Sequence, residues 1–264
     1  MAEISVKHPV TGVFATQNGT HCSYRMFDRH GGVSRGLYTS LNVGDRVGDD
    51  AEAIQKNRKK VKEQLPVPLL LSAIQVHGTD IYCLTEPLEE DKEVDGFDAL
   101  ITNISGVGLM IQQADCQAVL LFDPVCEVIA AVHCGWRGSV QGILERVVAV
   151  MMKKYGSAAA DLQAIISPSL GPCCAEFVNF RQELPQDFQR FMVGENYFDF
   201  WQISKHQLMS VGMLEENIGA AEICTCCSDD YFSYRRASRL AKGITGRNCS
   251  VIALDKSTAR NSLG

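Results

Sequence analysis

Seven short apolar runs punctuate the chain: LLLSAIQV at 69–76, DALIT at 98–102, GLMIQ at 108–112, AVLLF at 118–122, VIAAV at 128–132, LQAIIS at 162–167 and SVIAL at 250–254. Each has the length of a strand. Several are apolar without interruption, whereas a strand with one face in water would alternate. Sheets covered on both faces are implied, and helices must supply the cover. A different period governs DDAEAIQKNRKKVKEQL, where Ile54, Val61 and Leu65 share one side at helical spacing and Asp49 or Asp50 is the cap. Arg58 lies on the same face, four after Ile54 and three before Val61. An inward arginine wants an anion, unless its stem snorkels past the core to water. SVQGILERVVAVMMKKYG at 139–156 reads as a second helix closed by Gly156 in a left-handed cap. Residues 176–216 look helical in pieces. The pattern as a whole predicts an α/β fold in which mixed, α+β-like sheets are flanked by helices.

Neither repeats nor a linker rich in proline divide the chain, so one catalytic domain over 1–264 is expected. A hydrophobic fraction of 46% with 21% charged residues in 264 suits a large core. The net charge of -6 argues against nucleic acid as the partner, because phosphate backbones reward positive surfaces. No apolar stretch reaches the roughly 18 residues of a membrane span, and no basic segment with an apolar run opens the chain. A cytoplasmic protein is expected. Its 11 cysteines, an odd number, then fit reduced thiols or metal ligands better than disulfides.

Two of the strand-like runs break in ways that packing does not demand: AAVHCGWRG at 130–138 and QQADCQAVLLFDP at 112–124. His133 and Cys116 occur at those breaks, and His77 in IQVHG stands at a third. Strand ends on one edge of a layered sheet are where side chains converge without disturbing the core. Two imidazoles and a thiolate match the ligands of a catalytic zinc site with a fourth position open, able to activate water or polarise a substrate oxygen. Two other readings use the same residues. Cys116 and His133 could be a metal-free nucleophile and base, with His77 lining the pocket; or all three could be buried, hydrogen-bonded core groups. Gly135 and Gly138 allow a sharp turn, and the helix that follows GWRG would offer amides to an anion, with Arg137 adding charge.

Two further motifs carry weaker chemistry. CTCC at 224–227 has the C-x-x-C spacing, but a closed zinc site needs two more ligands, and the adjacent Cys173 and Cys174 of GPCC are poor paired ligands. Loop cysteines near a cleft are the expected account. FSYRR at 232–236 places two arginines after alternating aromatics; if the run is a strand, Arg235 and Arg236 point to opposite faces and only one can look into a pocket.

In the order FDRHGGVSRGLYTSLNVGDRVGDD, NRKK, QVHG, ADCQAVLLFDP, VHCGWRG, GPCC and FSYRR with GRN, these motifs resemble the bacterial laccase-domain family over about residues 12–254. That family is also called multicopper polyphenol oxidoreductase and is now viewed as purine nucleoside phosphorylases. The resemblance implies a fold related to the catalytic domain of cytotoxic necrotizing factor and zinc held by His77, Cys116 and His133. It implies phosphorolysis of adenosine, inosine, guanosine and methylthioadenosine by inorganic phosphate, and deamination of adenosine. Ser40, Asn42 and Arg58 match positions expected to line the substrate site, Arg58 as the phosphate holder. Older accounts of the family describe a copper-dependent phenol oxidase. Only six histidines are present, which argues against a histidine-rich copper cluster; copper would bind a His-Cys-His site adventitiously. The chain departs from the family pattern at Gln117 and Ala118, at Cys134 where alanine is usual, and at Ala175 where tyrosine is common. Cys134 is thereby expected to add sensitivity to oxidation.

Overall fold

The computed structural model describes residues 10–15, 21–65 and 67–255. The first half comprises β1 (Thr11–Ala15), β2 (His21–Phe27), α1 (Ala51–Gln64), β3 (Leu69–Ile74), β4 (Ile81–Leu84), β5 (Lys92–Asp95) and β6 (Ala99–Thr102). Next come β7 (Val107–Gln113), β8 (Gln117–Asp123), β9 (Val128–Cys134), α2 (Trp136–Val140), α3 (Ile143–Val150), β10 (Gln163–Ile166) and α4 (Phe180–Glu183). The rest is β11 (Met192–Gly194), β12 (Tyr197–Phe198), α5 (Phe200–Ser210), β13 (Ile218–Ala220), α6 (Tyr234–Leu240) and β14 (Asn248–Asp255).

Two mixed six-stranded sheets dominate, ordered β1-β2-β14-β7-β3-β5 and β13-β10-β8-β9-β6-β4. They face each other. Leu71, Leu109, Ile111 and Ile252 of the first meet Leu120, Phe122, Ile129 and Ala131 of the second. The period of two then sends the alternate residues outward. Val251 and Ala253 of β14 pack with Val61 and Leu65 beside α1, while Val119, Leu121, Ala130 and Val132 pack under Ile143, Leu144, Val147 and Val148 of α3 and Leu208 of α5. Helix, sheet, sheet, helix is therefore the layer order. It explains why these strands read as unbroken apolar runs, since each strand residue burying fully on either face stabilises by about 1.5–3 kcal/mol.

All seven apolar runs are strands, and α1 begins at its Asp50 cap, whose carboxylate accepts the Ala53 amide at 2.8 Å. Other elements differ from the expectation. The second helix starts earlier, at Trp136 inside the GWRG motif, and is broken at Gly142, whose φ of 72° leaves the helical region. Because α2 has only five residues, its dipole offers an anion far less than the long helix expected there. FSYRR is not a strand: Ser233 caps α6 by accepting the Arg236 amide, so local capping prevails over the alternating pattern. The strands not foreseen are those with polar composition, such as KEVD in β5, where one buried valine and parallel pairing with β3 suffice.

Candidate active site

Both sheets contribute to one end of the sandwich. Strands β3 and β7 are parallel neighbours that end together at Ile74 and Gln113, and the chain then crosses to the second sheet, where β8 starts at Gln117 opposite Cys134 of β9. Cys116 sits in the crossing, His77 just beyond β3, and His133 in the last turn of pleat of β9. The ligand atoms of His77, Cys116 and His133 all lie within 4.8 Å of one another, and the two imidazole rings meet edge to face at 4.8 Å. The three breaks in the apolar pattern are one cluster.

Asp98, wholly buried at the start of β6, organises it. Its Oδ1 accepts the His77 amide at 2.9 Å and His133 Nδ1 at 2.7 Å; its Oδ2 accepts the Gly78 amide at 2.7 Å and the Val76 amide at 3.2 Å. The bond at Nδ1 leaves Nε2 of His133 for a ligand. It also pins the turn on which His77 takes a positive φ of 61°, a backbone conformation that costs a non-glycine residue about 1 kcal/mol or more. Asp115 performs the same service for Cys116, with its own φ at 87°. Its carboxylate accepts the Thr225 hydroxyl at 2.7 Å and the Arg235 amide, and its carbonyl accepts the Leu170 amide at 2.8 Å. No pattern pointed to Asp98; the available signal was a lone acid opening an otherwise apolar strand.

The chemistry of the cluster suits a soft divalent ion. Burial opposes ionisation of Cys116, but the charges and hydrogen bonds of His133 and His77 outweigh it and hold the thiol well below its usual range. Burial likewise opposes the His133 cation, which Cys116 and Asp98 raise above the ordinary imidazole range. A Cβ at Gly135 would lie 3.1 Å from both Cys116 Sγ and His77 Cδ2, so glycine keeps the space around the donors open. Two imidazoles, a thiolate and an oriented hydrogen bond behind one of them fit zinc.

A cavity of about 570 Å³ opens over the cluster. Arg46, Arg137, Arg235 and Arg247 line it, and none of them makes an ion pair among the described residues. Trp136, Phe177 and Phe200 form an aromatic wall, with ring separations of 5.9 Å and 5.2 Å along it. Cys134 also lines the cavity, but burial pushes its thiol up to about 12, which makes it a poor target for oxidation, contrary to expectation.

The structure does not bring the other expected residues to the cavity. Arg58 is absent from its lining; the guanidinium is engaged by Glu93 at 3.0 Å and by the Val43 carbonyl, so its charge is already neutralised. Ser40 and Asn42 stand one layer behind. Ser40 Oγ donates to the Arg29 carbonyl, and the buried Asn42 Oδ1 accepts the amides of Gly44 and Arg247. The polar residue that α1 does point inward is Asn57, which donates to the carbonyls of Ser40 and Asn42. These residues hold the loop carrying Arg46 and the turn carrying Arg247. Cys173, Cys174, Cys224 and Cys227, expected as loop cysteines near a cleft, do lie in loops, and their ligand atoms are within 4.8 Å of one another.

The Arg58–Glu93 pair has a measurable signature. Burial raises the Glu93 carboxyl, but Arg58 and the Ser72 hydroxyl outweigh it and leave it below its ordinary value. A depressed carboxylate contributes stability above its unfolded pKa and loses it as the pH falls through the folded one. Arg58→Ala is therefore expected to cost about 1–2 kcal/mol at neutral pH, with both side chains only about a fifth exposed. The deficit should narrow as the pH drops below about 4.3. Urea denaturation at several pH values measures it.

A family model described as multi-copper polyphenol oxidoreductase laccase matches residues 23–255. Among curated relatives, the purine nucleoside phosphorylase YlmD of Geobacillus stearothermophilus is 31% identical over 242 residues, covering 85% of this chain and 87% of that protein. A purine nucleoside phosphorylase of Bacteroides thetaiotaomicron is 30% identical over 267 residues, covering 92% and 98%. The crystal structure of the hypothetical protein YfiH of Bacillus licheniformis superposes with a TM-score of 0.80 at 26% identity, over 94% of this chain and 97% of that one.

Proposed function

The chain belongs to the multi-copper polyphenol oxidoreductase laccase family, and from that premise we propose that it is a zinc-dependent purine nucleoside phosphorylase. Its substrates would be adenosine, inosine, guanosine and methylthioadenosine together with inorganic phosphate, and adenosine deamination would be a second reaction of the same site. One observation supports the reading: a cluster of metal donors lines a cavity that is also lined by arginines making no ion pair among the described residues. His77, Cys116 and His133 would hold the zinc, which when bound supplies Lewis acidity and can bring a water toward a pKa of about 7.

The remaining work falls to the chain. Phosphorolysis joins a phosphate oxygen to ribose C1′ while the C1′–N9 bond breaks and its electron pair leaves with the purine. Arg247 and Arg137 offset the charge of the entering phosphate. Trp136, Phe177 and Phe200 receive the flat base. Gln113 also lines the cavity, and its Nε2 donates to Ser250 Oγ at 2.7 Å, which ties the end of β7 to β14.

Incubating the protein with adenosine, inosine or methylthioadenosine, with and without phosphate, and separating the products by chromatography tests the reading. Free base and ribose 1-phosphate, or 5-methylthioribose 1-phosphate from methylthioadenosine, should form only when phosphate is present; inosine that binds but returns unchanged would reduce the protein to a binding module. Arg247→Met should raise the phosphate KM roughly 10–100-fold, the equivalent of losing a charged hydrogen bond of about 1.5–3 kcal/mol. The inosine KM should move much less.

Metal-free hydrolysis through Cys116 and His133 is the second reading, favoured by the thiolate–imidazolium balance of that pair. Alkylation of Cys116 that proceeds equally fast before and after chelation would support it. A copper oxidase has less behind it. Among the described residues, the convergent donor groups are two histidines with one cysteine, and four cysteines, neither of which is a histidine-rich copper cluster.

A further inference from the structure

Strands β10 and β13 pair in parallel, so the chain leaves both at the same edge. The pairing continues past their ends: the Ser169 amide donates to the Ile223 carbonyl at 3.1 Å and the Thr225 amide to the Ser169 carbonyl at 2.9 Å. GPCC follows one strand and CTCC the other, and this extension lays the motifs side by side. Four sulfurs from Cys173, Cys174, Cys224 and Cys227 gather there within 4.8 Å of one another. Cys227 Sγ lies 3.5 Å from Cys173 Sγ and 3.4 Å from Cys174 Sγ. Four thiolates about 2.3 Å from one tetrahedral zinc stand about 3.8 Å apart, which falls within this spread.

The local backbone suits a thiolate at Cys224. The amides of Cys226, Cys227 and Gly171 donate to Cys224, so the sulfur at the start of the C-x-x-C turn receives the amides two and three residues on. Such donors offset the negative charge that several sulfurs would place on one ion. Gly171 permits the approach, because a Cβ there would lie 2.9 Å from Cys224 Cβ and from the Trp201 ring. Neighbouring cysteines can both serve because the amides of Cys174 and Ala175 donate to the Gly171 carbonyl, folding GPCC into a tight turn. Cys173 and Cys227 are exposed, giving an ion a way in.

We propose that Cys173, Cys174, Cys224 and Cys227 hold a second zinc ion, closed to substrate and structural in role. It fastens the 170–177 loop, which brings Leu170, Ala175 and Phe177 to the cavity, to the loop whose Thr225 hydroxyl holds Asp115 beside Cys116. The site is independent of the reaction proposed for the cavity.

Metal analysis of the full chain, purified under reducing conditions without added metal, should find about two zinc ions. Cys227→Ser and Cys173→Ser should each lose about one, as should Cys116→Ala, by way of the other site. In the Cys116→Ala background, cobalt in place of zinc should give intense sulfur-to-cobalt bands of a tetrahedral tetrathiolate. Unchanged zinc content in both outer-cluster variants would overturn the proposal, as would mass spectrometry of fresh protein showing these four cysteines joined in disulfides. If the variants do not fold, titration of the folded Cys116→Ala chain with a mercurial decides the matter: release of about one zinc equivalent supports the four-cysteine site, and release of none refutes it.

Discussion

Cys116→Ala is expected to abolish phosphorolysis and adenosine deamination together, by a factor on the order of 10³ or more, while leaving the fold intact. The side chain is small and sits in the crossing between the sheets, outside the strand layers, so the cavity left behind costs little stability. What disappears is the only thiolate donor of the His77–Cys116–His133 cluster. Loss of a ligand that touches the ion must exceed the roughly 10–100-fold effect typical of groups one step removed. Zinc content, melting temperature and rates of base release and deamination, measured on one preparation, make the test complete. A well-folded variant that retains either activity at native rate would end the proposal of a shared site.

Asp98→Asn should be nearly as damaging, although it changes only one atom type. All four groups that meet the carboxylate are donors: the amides of Val76, His77 and Gly78, and His133 Nδ1. Whichever way an asparagine turns, its NH₂ faces two other donors in a fully buried place. The expected cost is about 2–4 kcal/mol of stability. Zinc affinity should fall about 10–100-fold, since the orientation of His133 and the turn bearing His77 both depend on this acid. A zinc titration separates positioning from mere destabilisation. If Asp98 acts through the metal ligands, excess zinc should restore most of the rate in the folded variant; a deficit insensitive to zinc would contradict that role.

Much of the architecture was written in local pattern. Unbroken apolar runs at strand length report burial on both faces, which is why β3, β6, β7, β8, β9, β10 and β14 were legible in advance. The Asp50 cap and the Ile54–Val61–Leu65 stripe did the same for α1. Polar edge strands such as β5 were not legible, because their stability comes from a neighbour's hydrogen bonds and one buried side chain instead of a repeating pattern. FSYRR was open to a strand reading for a related reason: alternation over five residues is a weak signal against a capping serine.

Local sequence also determined the donor types, since His77, Cys116 and His133 each interrupt an apolar run that packing alone would have continued. What it left undecided was convergence. Their meeting depends on β3 and β7 ending side by side in one sheet while β8 and β9 present the same end of the other. Tertiary structure likewise decided that Arg58 is engaged by Glu93, that Asp98 ties two ligands together, and that GPCC and CTCC meet beyond β10 and β13. A side chain's chemistry is carried by its own atoms and is present in the unfolded chain. Its partner is set by sheet order and register, which are long-range consequences of burying the whole core at once.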